Sequence, residues 1–168
     1  MILIGLGANL PSPVHGTPRK TLSAALEQIA RSDVHVVALS DWYSSAPVPA
    51  SSQPRYVNAV AVLETKLEPG PLLQLLHDIE REFGRERSER NAARMIDIDL
   101  LDHDGLVQEN WPVLPHPRLA ERAFVLRPLR DVCPEWRHPL TDEGVDTLLA
   151  GARDRADIRP VGAGKEGS

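Results

Sequence analysis

The chain has 168 residues, with 19 Lys plus Arg against 24 Asp plus Glu, a formal net charge of −5; 42% of its residues are hydrophobic and 26% charged. That size and balance fit one domain able to bury its own core and exclude a disordered chain. The acidic excess argues against a nonspecific binder of nucleic acid or anionic membrane, since both need a positive field, and three Trp, two Tyr and two Phe are few for stacking on RNA.

The run Ile2 to Leu6 follows Met1 without a basic residue, and Pro11 and Pro13 come soon after. It reads as a short buried strand and a turn, neither a signal peptide nor a membrane span. Thr17 can cap a helix and Pro18 suits its first position. With Leu22, Ala25, Leu26 and Ile29 on one face, this predicts a helix over Pro18 to Arg31. Val34 to Tyr43 is apolar and β-branched, a strand, and Ala46 to Pro54, with three prolines and two serines, a loop.

Tyr56 to Thr65 carries apolar residues on both alternating faces and should be a central strand. Leu72, Leu76, Ile79 and Phe83 recur at helical spacing, with Gly84 as C-cap, predicting a helix over Pro71 to Phe83. Arg85 to Met95 has no apolar period and reads as a loop, and Ile96 to Leu101 alternates as a strand. The order strand, helix, strand, strand, helix, strand predicts an α+β, ferredoxin-like βαββαβ core: an antiparallel sheet with both helices on one face. C-terminal additions follow, including a short strand over Ala123 to Leu126 and a short helix near Asp142 to Ala150. Residues 1–150 read as one domain and 151–168 as a flexible tail. Cys133 is the sole cysteine, which excludes an internal disulfide and fits a reducing compartment, so a cytoplasmic protein is expected; a monomer is expected too.

Asp97 and Asp99 stand two apart on a strand, so both carboxylates leave one face, with α-carbons roughly 7 Å apart. They can converge on Mg²⁺, which takes hard oxygen ligands and completes its shell with water and nucleotide phosphates. The same spacing also fits the solvent face of a half-buried strand. Arginines 81, 85, 87, 90 and 94 outnumber glutamates 82, 86 and 89 just upstream. Arginine forks suit phosphate, whereas neighbouring aspartates repel it unless a divalent ion intervenes. Together they suggest a magnesium–nucleotide site; taken alone, the loop equally fits a solvated stretch of mixed charge. Tyr56 and Asn58 share one strand face, an aromatic beside an amide, which suits a flat heterocycle or a core position. His116 lies between Pro115 and Pro117, where it contacts phosphate or fixes a turn.

In order along the chain, Gly7-Ala8-Asn9-Leu10, Gln53-Pro54-Arg55-Tyr56-Val57-Asn58-Ala59, Glu80 to Arg85, Arg94-Met95-Ile96-Asp97-Ile98-Asp99-Leu100-Leu101, Pro115-His116-Pro117-Arg118 and Arg122-Ala123-Phe124-Val125-Leu126 resemble the 6-hydroxymethyl-7,8-dihydropterin pyrophosphokinase family. The match covers roughly Leu3 to Leu129, and its most specific part is Arg-x-x-Asp-x-Asp at 94–99. The resemblance implies transfer of diphosphate from ATP to the pterin alcohol, with release of AMP, in folate biosynthesis. It implies that Asp97 and Asp99 hold two Mg²⁺ ions and that Arg85 and Arg94 are catalytic. ATP would be met by Leu73, His77, Glu80, Arg85, Arg87, Arg94, His116 and Arg122. Tyr56 and Phe124 would sandwich the pterin, Asn58 would bond its amide edge, and Gly7, Ser45, Ala46, Pro47 and Val48 would complete the pocket. Asn91 stands where related sequences commonly have tryptophan, Ala92-Ala93 replaces Gly-Pro, and Trp111 and Val113 replace polar residues on the nucleotide side.

Overall fold

The computed structural model describes residues 1–84 and 95–162. Its strands are β1 (Ile2–Ala8), β2 (Val34–Leu39), β3 (Tyr43–Ser45), β4 (Tyr56–Thr65), β5 (Asp97–His103) and β6 (Arg159–Pro160), and its helices α1 (Pro18–Ala30), α2 (Pro69–Glu82), α3 (Ala123–Val132) and α4 (Val145–Gly151). The sheet runs β5-β1-β4-β3-β6, with β2 also on β4, and every pairing is antiparallel. Counting β2 and β3 as one interrupted strand, β1 to β5 have the expected ferredoxin-like order. No helix among the described residues is long and apolar enough to cross a membrane.

Local chemistry accounts for the element ends. Thr17 Oγ1 accepts the Lys20 N–H at 3.4 Å and Pro18 opens α1. Pro69 opens α2 two residues earlier than the sequence suggests, because a first-turn residue needs no N–H partner. Gly84, at φ 84°, closes α2 as C′, the left-handed position that glycine adopts without strain. The expected strand over Val34 to Tyr43 is broken at Ser40. The Ser40 hydroxyl accepts the Val60 N–H at 3.0 Å, taking the place of a backbone carbonyl, and β3 begins after the turn.

Strand alternation builds two cores. Ile2, Ile4 and Leu6 of β1, Ala59, Ala61 and Leu63 of β4 and Ile98 and Leu100 of β5 pack beneath α1 and α2. Leu3, Val60 and Leu101 point the other way, onto α3 and α4. The C-terminal additions therefore form a second helical layer on the opposite face, while α1 and α2 keep the first.

One expectation fails here. Ala123 to Leu126 is the start of a helix, not a strand: Ala123, Val125, Leu126 and Leu129 are buried together at helical spacing. The Asp154 carboxylate accepts the Ala123 N–H at 3.1 Å, and the interior proline, Pro128, lies beyond the first turn. Of the flexible tail expected over 151–168, residues 163–168 lie outside the described residues. Through residue 162 the chain packs back, with Arg159 paired to Ser44, Pro160 to Tyr43, and Val161 N–H donating to Trp42 O at 2.8 Å.

Candidate active site

Beside the second helical layer, on the same face of the sheet, lies a pocket floored by β1, β4 and β5. Its floor follows from register. Gly7 pairs with Asn58 on one side and Asp97 on the other, and Gly5 pairs with Val60 and Asp99. An amide, a bare glycine and a carboxylate thus lie in a row across three strands, the outer two about 10 Å apart at their α-carbons. With no side chains on Gly5 and Gly7, the floor is open. A Cβ on Gly7 would stand 3.3 Å from Asn58 Oδ1, close enough that the amide would have to give way.

Ser45, Ala46, Val48 and Tyr56 form one wall; Arg122, Phe124 and Val125 form the other. Buried Asn58 donates from Nδ2 to Ser45 Oγ at 2.7 Å, which fixes the amide's orientation. The Arg122 guanidinium lies 5.5 Å from the Phe124 ring centroid and 3.9 Å from Asp99 Oδ2. A cation thus stands between the carboxylates and an aromatic face. Asp97 and Asp99 are half-buried on the same face, oxygen donors of the kind a hard divalent ion takes. Among the described residues no third His, Cys, Asp or Glu joins them in a metal-binding group, so an ion here needs most of its oxygens from water and ligand.

Of the residues expected from sequence, Gly7, Ser45, Ala46, Val48, Tyr56, Asn58, Asp97, Asp99, Arg122 and Phe124 line this one pocket. Pro47 sits between two lining residues without lining it. His116 lies just outside: its backbone N–H donates to Leu101 O at 2.9 Å and its Nδ1 accepts the Arg118 N–H at 3.2 Å, which leaves the neutral ring's proton on Nε2. Burial above all, then the charge of Arg122, pushes its pKa down to about 4, against an opposing pull from Asp97. Arg85, Arg87 and Arg94 lie outside the described residues.

Helix α2 does not bring its three expected residues into the pocket. Leu73 packs partly buried against the core beneath the sheet, and His77 is half-buried on the same helix. Glu80 is buried, and its Oε1 accepts the backbone N–H of Ile98 at 2.6 Å. Its carboxylate therefore grips the edge strand between the two aspartates. Sequence reasoning missed Gly5, which the i, i+2 spacing from Gly7 could have suggested, Val125, which becomes legible once Phe124 is placed on a helix, and Leu6 and Ala59, which belong to the core beneath the sheet.

Comparison with known proteins agrees with this architecture. The chain is 40% identical over 140 residues to the 2-amino-4-hydroxy-6-hydroxymethyldihydropteridine pyrophosphokinase of Pseudomonas aeruginosa, covering 82% of this chain and 83% of that one. It is 34% identical over 161 residues to the folic acid synthesis protein fol1 of Pneumocystis carinii, covering 95% of this chain but only 21% of that longer protein. In fold it resembles the crystal structure of a Plasmodium falciparum HPPK-DHPS triple mutant, with TM-score 0.76 at 11% identity, over 98% of this chain and 47% of that one. Residues 3–134 match the model of 7,8-dihydro-6-hydroxymethylpterin-pyrophosphokinase, and they contain every described residue that lines the pocket, so the chain belongs to that family.

Proposed function

We propose that this pocket transfers diphosphate from ATP to 6-hydroxymethyl-7,8-dihydropterin, releasing AMP, as a step of folate biosynthesis. The observation that carries the reading is the cross-strand row Asn58–Gly7–Asp97 beside Gly5–Asp99. It sets a place for a flat ring against a pair of oxygen donors on one floor.

In this reading the ring lies over Gly7 between Tyr56 and Phe124. Asn58, turned by Ser45, bonds its amide edge, and the backbone from Ser45 to Val48 closes the wall. Aromatic faces on both sides suit a heterocycle by stacking and by excluding water. Asp97 and Asp99 would hold Mg²⁺, two ions by the family resemblance. Magnesium held there would supply charge compensation for the triphosphate and polarisation of the acceptor hydroxyl.

The chain's own residues do the rest. The pocket floor aligns the pterin hydroxyl with the β-phosphorus for in-line attack, so that part of the barrier is met by positioning. Arg122, braced between Asp99 and Phe124, turns its charge toward the phosphates, and His116, neutral at physiological pH, donates from Nε2. Arg85, Arg87 and Arg94 add phosphate contacts in the same proposal, with Arg85 and Arg94 catalytic. Leu73 and His77 are assigned to the nucleotide side by resemblance alone. Glu80 acts through Ile98 on the aspartates instead of touching ATP. No side chain is needed as general base. We take the protein to be cytoplasmic, a reading its single cysteine supports, and monomeric.

Incubation with ATP, Mg²⁺ and 6-hydroxymethyl-7,8-dihydropterin tests the proposal. The expected products are AMP and the pterin diphosphate in equal amounts, with none when magnesium is chelated. Binding of the pterin without AMP formation overturns it.

A further inference from the structure

The stretch 152–161 lies beyond the part of the chain that matches the family model, yet it touches both walls of the pocket. At one end, Asp154 Oδ1 accepts the Ala123 N–H at 3.1 Å, fixing the start of α3 beside Phe124. Three residues later, Asp157 Oδ2 accepts the Ala46 N–H at 2.9 Å in the opposite wall. Arg55 locks that contact. Its Nη1 meets Asp157 Oδ1 at 3.1 Å, its Nη2 donates to Asp157 O at 3.0 Å and to Ser44 O at 3.2 Å, and its Nε donates to Ser44 Oγ at 2.8 Å. The segment then continues as β6 along β3, the strand that carries Ser45. Partial desolvation raises the Asp157 carboxyl, but the Arg55 and Ala46 hydrogen bonds and the charges of Arg55 and Arg159 outweigh it and hold its pKa below the ordinary value.

We propose that residues 152–161 form a strap that sets the separation of the two pocket walls, with Asp154 and Asp157 as positioning residues for the flat substrate. The strap rests on the reading that the pterin binds between those walls. Its physical basis is preorganisation: walls already held at the ring's thickness do not have to be ordered when the ligand arrives. Asp157 and Arg55 act on the wall that carries Ser44 and Ala46, whereas Asp97 and Asp99 stand on β5 across the floor, so loss of the Asp157 contacts should bear on the ring more than on the nucleotide. Loss of a merely stabilising segment would lower the melting temperature without favouring one substrate.

The test uses the full chain. Pterin affinity is measured by fluorescence titration and affinity for a nonhydrolysable ATP analogue with Mg²⁺ by calorimetry, in the unaltered protein and in Asp157→Ala and Asp157→Asn, with melting temperatures alongside. Asp157→Ala loses the Ala46 and Arg55 contacts and is expected to weaken pterin binding about tenfold, with nucleotide affinity within about twofold. Asp157→Asn keeps an acceptor for Ala46 and should lose about threefold. If Asp157→Ala gives no folded protein, Asp157→Asn carries the same comparison. Pterin affinity unchanged in the variants, or an equal loss for both ligands, overturns the strap while leaving the proposed function intact. Failure of the unaltered chain to bind the pterin overturns both.

Discussion

The Glu80 carboxylate on α2 accepts the backbone N–H of Ile98 on β5 at 2.6 Å, between Asp97 and Asp99. A buried acid inside a helix–sheet interface would be costly without such a partner. Here it ties the helix to the edge strand that carries both aspartates. Removing it leaves a buried N–H unpaired and a hole behind it. Glu80→Ala should lower stability by about 3 kcal/mol in urea unfolding and Glu80→Gln, which keeps an acceptor, by about 1 kcal/mol. Turnover should fall in the same order. Equal stability of the Ala and Gln variants would refute the hydrogen bond as the reason.

Asp97 and Asp99 stand on the other face of that strand, half-buried and open to the pocket. The Arg122 contact to Asp99, at 3.9 Å, is long and partly solvated, so losing it should cost less than about 1 kcal/mol of stability. Asp97→Ala and Asp99→Ala should keep the melting temperature within a few degrees while magnesium-dependent AMP formation drops by about 10³ or more. Near-normal turnover in either variant would sink the metal assignment.

The two floor glycines separate a tight position from a tolerant one. A Cβ at position 7 meets Asn58 Oδ1 at 3.3 Å, whereas one at position 5 meets the Leu101 side chain at an ordinary 3.5 Å. Gly7→Ala should therefore displace the amide and raise the pterin KM about tenfold, and Gly5→Ala by no more than about threefold. Reversal of that order in steady-state kinetics would show that the amide is not what the pocket presents to the ring.

Which parts of this site were legible in the sequence follows from how far each signal reaches. The Asp97–Asp99 spacing and the alternation of Tyr56 to Thr65 are local, period-two patterns, and the strands containing them form with the expected faces. The Thr17–Pro18 start and Gly84 stop of the helices are equally local. Ser40 breaks a strand because its hydroxyl meets Val60 across the sheet, a contact that no window around Ser40 contains. Ala123 to Leu126 looks like a strand in four residues and becomes a helix over ten, capped by an aspartate 31 positions away. Asp157 likewise has no local signature: only the folded chain brings it to Arg55 and Ala46. Glu80 lies buried against Ile98, and sequence alone cannot tell such a carboxylate from one facing a pocket.

His116 gives a pH prediction with a definite sign. Burial and Arg122 lower its pKa from 6.5 to about 4, so the fold favours the neutral ring. That preference contributes stability fully above the unfolded value of 6.5, and the contribution is lost as pH falls through about 4. NMR of the imidazole nitrogens should show the neutral form with its proton on Nε2 across the physiological range and a titration midpoint near 4. His116→Gln should flatten the fall in stability between those two values, because the glutamine has no proton to take up. A midpoint near 6.5 in the unliganded protein would mean that the ring is solvated and its hydrogen bond to Arg118 is not maintained.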